Sequence, residues 1–142
     1  MNGFEKSTNM DSFIDLYKND FNNLDAKSIS SWYEFPISVL TPTGNSIFHS
    51  DKEFINSVTS LLNTYQSFDF SHAQILTKHV TKGLHGLHQI DVSWRLINNS
   101  NEPIIDFDIS YIFKIKAERV IICGVISHNE FSEWKRISTC KT

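Results

Sequence analysis

Chemistry in this chain would have to come from its histidines, tyrosines and carboxylates. Six histidines are present, and His128 stands at the end of the last apolar run, in phase with Ile122 and Ile126. Alternation along a strand aims it toward the same face as those residues. A histidine there can act as a general acid or base if a carboxylate lies within hydrogen-bond reach. The nearest carboxylates in sequence, Asp106 and Asp108, alternate onto the opposite face of their own run, so no dyad is legible. A strand-end histidine satisfied by solvent or a backbone carbonyl is the plainer reading. Tyr17 is an aromatic at helical spacing, which packing explains with its hydroxyl finding a neighbour. His79, His85 and His88 lack neighbouring carboxylate or cysteine ligands, so neither a metal nor a cofactor is expected. Cys123 in an apolar run and Cys140 in a polar one read as two free thiols.

These residues need elements to hold them. Met10, Phe13, Ile14, Tyr17 and Phe21 share one helical stripe, with Ser7 or Asn9 as N-caps. A short helix is predicted from about Asp25 to Tyr33, capped by Asn22 or Asn23 and stopped by Pro36. Val39 to Phe48 reads as a small hairpin turning at Pro42 to Asn45. Ser50 to Gln66 is a helix opened by the Ser50–Glu53 capping box, with Phe54, Ile55, Val58, Leu61, Leu62 and Tyr65 on one broad apolar face. The period then switches to two. Strands are predicted at about Ala73 to Lys82, Leu87 to Asn98, Ile104 to Lys116 and Arg119 to Ser127. Their short connections require antiparallel neighbours. His88, Ile90, Val92, Trp94 and Leu96 share one face of their strand, and Ile105, Phe107, Ile109, Tyr111 and Phe113 share one face of the next. Both faces should turn toward the helices. Tyr17, Trp32, Trp94, Phe107, Tyr111 and His128 are therefore the expected ligand-binding set, with His79 in reserve.

The markers F-x-x-x-Y (Phe13, Tyr17), L-D-A (Leu24, Asp25, Ala26) and V-x-x-P-x-G (Val39, Pro42, Gly44) come in this order. They precede the paired strands D-I-S-Y-I-F-K and R-V-I-I-C-G-V-I-S-H, which begin at Asp108 and Arg119. The whole resembles the nuclear transport factor 2-like superfamily, which includes SnoaL-like cyclases, ketosteroid isomerase and scytalone dehydratase. The resemblance implies an α+β cystatin-like cone: three N-terminal helices in the concave face of a strongly curved, mostly antiparallel sheet. It also implies a pocket at the wide end and a homodimer through the outer sheet face. Ketosteroid isomerase-like members place a general-base aspartate before the proline of V-x-x-P-x-G. The matching residue is Thr41, whose hydroxyl has no useful basicity near neutral pH. Their acid on the penultimate strand falls at Ser110 or Tyr111. Of that set only the helix-one tyrosine survives, as Tyr17.

With 142 residues the chain is expected to be one domain over 1–142, with a polar C-terminal tail from about 131. Its 11 phenylalanines and 40% hydrophobic content are enough for a packed core and exclude a disordered chain. A net charge of -3 with scattered lysines gives no basic stripe for nucleic acid. No apolar run approaches the roughly 20 residues needed to cross a bilayer, and a cytoplasmic location is expected. Two functions follow from the resemblance. One is a SnoaL-like protein that binds a small apolar molecule in an aromatic-lined cone, with acid–base catalysis through Tyr17 and His128 as its candidate activity. The alternative is a non-catalytic homodimeric interaction module whose cone is filled by its own side chains. An open cavity of roughly 300 Å³ or more favours the first.

Overall fold

The computed structural model describes residues 12–141, and their side chains through 138. Met10 and the N-cap candidates Ser7 and Asn9 lie outside the described residues, as does the side chain of Cys140.

Helix α1 (Phe13–Asn22) buries Phe13, Ile14 and Tyr17, the stripe that the spacing anticipated. Helix α2 (Ala26–Ser30) starts on Asp25, whose side chain accepts from the Ser28 backbone N–H at 3.1 Å. Neither Asn22 nor Asn23 caps it. Asn22 instead accepts from the Ala73 backbone N–H at 2.8 Å, tying α1 to the sheet. Strands β1 (Ile37–Thr41) and β2 (Gly44–Phe48) form the hairpin. Helix α3 (Asp51–Ser67) opens on the capping box. Ser50 Oγ accepts from the Glu53 N–H at 3.3 Å, and Glu53 reaches back to the His49 N–H at 2.8 Å.

Four long strands follow: β3 (Phe70–Thr81), β4 (His88–Asn98), β5 (Pro103–Lys116) and β6 (Arg119–Ser127). The six strands form one curved sheet in the order β2-β1-β6-β5-β4-β3. Every pairing is antiparallel except β1 with β6, which is parallel. The core forms where α1, α2 and α3 meet the concave face, with Phe13, Tyr17, Ile29 and Leu62 packed against Ile90, Trp94, Phe107 and Phe113. Among the described residues no helix is long and apolar enough to cross a membrane.

Two expectations are corrected. Residues from about 131 are not a polar tail but helix α4 (Glu130–Lys141). Its first turn is held by Asn129, whose carbonyl accepts from the Glu133 N–H and from Ser132 Oγ. Its three-residue apolar spacing seats Trp134 and Ile137 against the core. The second correction concerns the face of β6. Ile112 pairs with Gly124 while Phe113 pairs with Ile122, so Cys123 is an extra residue in a β-bulge. One added residue reverses the alternation beyond it. Ile122 and Val125 both point inward and are buried, whereas Ile126 and His128 turn to the convex face.

Candidate functional site

A cavity of about 290 Å³ opens on the concave side between the hairpin, the helices and β5–β6. Its walls are Tyr17 of α1, Tyr33, Phe48 of β2, Phe54 and Val58 of α3, Tyr111 of β5, Val125 of β6, and Glu130, Phe131 and Trp134 of α4. A second void, of only about 20 Å³, lies between Tyr65, Trp94, Phe107 and Tyr111. That is room for about one water molecule. The part of the cone under β3 and β4 is thus filled by the chain's own side chains, and the part nearer the hairpin is open.

Glu130 lines both spaces and is buried. Its Oε2 accepts from Tyr65 Oη at 3.0 Å and from Trp134 Nε1 at 3.1 Å. Oε1 makes no hydrogen bond among the described residues. Burial, only partly offset by those two donors, pushes the carboxyl up to about 7. Helix α4 explains the placement, because Glu130 and Trp134 stand one turn apart on the face that meets Tyr65.

The phenols surround this acid. Tyr17 and Tyr33 join hydroxyl to hydroxyl. Tyr111 accepts from Trp94 Nε1 at 3.1 Å, and its ring meets that of Tyr17 edge-on at 5.4 Å. Burial pushes Tyr17, Tyr33, Tyr65 and Tyr111 above the ordinary phenol range, so all four are neutral donors near pH 7. Thr41, the position matching the isomerase base, also lines the cavity, and its hydroxyl is spent on the Gly44 carbonyl at 2.7 Å.

The expected set therefore divides. Tyr17 and Tyr111 line the open cavity, whereas Trp94 and Phe107 line the small void. Trp32 lines neither; it donates from Nε1 to Asp20 at 2.7 Å and packs on Phe13 and Tyr17. His128 is not in the cone, because the bulge at Cys123 carries it to the convex face. There it meets Ser110 through Nε2 at 2.9 Å, and Ser110 Oγ donates to Asp91. Burial alone would raise Asp91, but bonds from Ser110 and Gln89 and the nearby His128 and His79 hold it below the usual carboxylate range. With its proton directed to Asp91, Ser110 accepts from His128, and the only base on its hydroxyl among the described residues is a carboxylate held below the usual range, too weak to make it a nucleophile. Among the described residues no cluster of acids, histidines and cysteines could hold a metal. Trp134 escaped the sequence reading because it was assigned to the tail, although the 131, 134, 137 spacing was an available signal, and Glu130, just ahead of that tail, was given no role.

The family model described as NTF2-like protein (DUF6841) matches residues 6–130. The chain belongs to this NTF2-like family. No curated protein matches its sequence. Several solved structures share the fold of this NTF2-like protein. Aln2 from a Streptomyces species superimposes with a TM-score of 0.68 at 4% identity, covering 87% of this chain and 90% of its own. An NTF2-like protein with a cystatin-like fold from Novosphingobium aromaticivorans gives 0.64 at 8% identity, covering 81% and 75%. An NTF2-like protein of unknown function from Shewanella oneidensis gives 0.61 at 10% identity, covering 79% and 89%. At such identities the likeness is one of fold, and function has to be argued from the site.

Proposed function

We propose that this NTF2-like protein binds a small, mainly apolar molecule carrying one polar group, in the open part of its cone. The observation that carries the reading is the cavity of about 290 Å³ left after the neighbouring void has been packed nearly shut. Its volume is near the lower end of small-molecule sites, and its walls combine aromatic rings with a few convergent polar groups, as such sites do. Neutral phenols at Tyr17, Tyr33 and Tyr111 offer hydrogen bonds to the polar group, and among the described residues lining the cavity Glu130 is the one able to exchange a proton near neutral pH. Acid–base chemistry in the cone, if it occurs, belongs to Glu130 rather than to His128.

Trp134 forms part of the wall and reports occupancy. A panel of benzyl and cyclohexyl alcohols, amines and acids should change tryptophan emission in the wild type and leave Trp134→Phe unchanged. If the panel alters neither protein and acrylamide cannot quench Trp134, the cone is closed to ligands and the reading fails.

A second reading concerns the convex face, which no described helix covers. Strand alternation puts Ile112, Ile121 and Ile126 there, each half-buried, beside the polar groove of Asp91, Ser110 and His128. A second copy packed on this face would make the chain a homodimer, which is compatible with a ligand in the cone.

A further inference from the structure

The geometry points to an organic ammonium as the ligand class, with the Glu130 carboxylate as its counter-ion and aromatic rings as its cage. This assignment rests on the cone being a binding site and deepens that reading.

Glu130 is the only carboxyl among the described residues lining the cavity, and no lysine, arginine or histidine lines it. Among the described residues the titratable groups that interact with it are phenols, Tyr65 from α3, Tyr33, and Tyr111 from β5, with Tyr17 of α1 on the same cavity wall, all neutral. Among the described residues the charge therefore has no cation beside it. A buried carboxylate without one is costly, and the group escapes the cost by taking a proton. A ligand ammonium offers the other escape. Among the described residues only one oxygen of Glu130 is engaged, by Tyr65 and Trp134, which leaves Oε1 to accept an N–H from the ligand.

The rings supply the second contribution. Phe21, Tyr33, Phe54, Phe131 and Trp134 present π faces or edges to the same space, and a desolvated ammonium gains from each face within about 6 Å. A neutral alcohol would use Oε1 but not the charge or the quadrupoles. A carboxylic acid would meet Glu130 with like charge and find no basic partner. The net charge of -3 also favours approach of a cation over an anion. At interior packing density the cavity holds roughly a dozen non-hydrogen atoms, the size of a simple arylalkylamine.

The pH behaviour gives the test. Because Glu130 titrates near neutrality, it must be ionised to receive the cation, so affinity rises with pH and binding expels a proton on the acid side. Calorimetric titrations would compare 2-phenylethylamine, 2-phenylethanol and phenylacetate. The amine should bind at least tenfold more tightly than the alcohol at about pH 8. It should weaken about tenfold by pH 6 and release close to one proton there, read from buffers of different ionisation enthalpy. In Glu130→Gln the amine should lose both its advantage and its pH dependence. Proton release is measured on the wild type, so the result stands even if the variant folds poorly. If the alcohol or phenylacetate binds as tightly as the amine, or the amine binds without releasing a proton at pH 6, the ammonium assignment is overturned while the cone stays a binding site. If none of the three binds, both readings fall together.

Discussion

At the scale of single residues, Glu130 ties pH to stability. Its carboxyl rises from 4.5 in the open chain to about 7 in the fold, because burial penalises the charged form. Between those values the folded protein holds a proton that the unfolded chain has released. Stability must therefore fall as pH climbs through this window, and the loss is complete once the folded carboxyl has ionised. A shift of this size corresponds to about 3 kcal/mol. Urea unfolding at pH 5 and pH 8 should show the wild type losing on the order of 3 kcal/mol more than Glu130→Gln, which cannot ionise. Parallel pH profiles for the two proteins would mean that Glu130 keeps its charge in the fold, by some solvation not seen in its surroundings.

Among the elements, the β5–β6 turn is the clearest mismatch between residue type and backbone. Ala117 and Glu118 both adopt positive φ, 51° and 64°, between the paired Lys116 and Arg119. A two-residue hairpin turn of this hand favours Asn-Gly, since a Cβ in that region is crowded. Replacing the pair by Ala117→Asn with Glu118→Gly should stabilise the protein by about 1–2 kcal/mol, seen as a higher urea midpoint with an unchanged slope. A lower midpoint would show that the native pair gains more from its surroundings than the turn costs.

The same scale explains what could be read from sequence. The long strands and α3 declared themselves through their apolar content, turn residues and caps: β6 matches its expected limits, and α3 begins where its capping box stands. His128 was misplaced because one residue, Cys123, bulges from a strand that is apolar on both faces. In such a strand no change of pattern marks the slip. Glu130 was missed for a different reason. A carboxylate carries no mark of burial in sequence; its fate is decided by Tyr65, far away in the chain, and by a helix that begins with it.

For the whole molecule, the uncovered convex face leads to a prediction about mass. Half-buried Ile112, Ile121 and Ile126 have no described helix above them, and a second sheet face would remove them from water. Light scattering at micromolar concentration should return twice the 16.4 kDa of one chain. A single-chain mass would leave that face exposed and rule out the homodimer.

The parallel seam between β1 and β6 joins opposite ends of the sequence, at Val39 with Val125 and Leu40 with Ile126. The meander from β3 to β6 needs only short loops, whereas this seam closes a far longer one and should form late in folding. The cavity straddles it, with Val39 and Thr41 on one side and Val125 and Ser127 on the other. Whatever binds there meets its site only after the barrier to folding has been crossed. We expect saturating 2-phenylethylamine to slow unfolding in stopped-flow experiments and leave the refolding limb where it was. An equal acceleration of refolding would put the seam inside the folding nucleus. The ligand would then act as a brake on leaving the native state and have no part in reaching it.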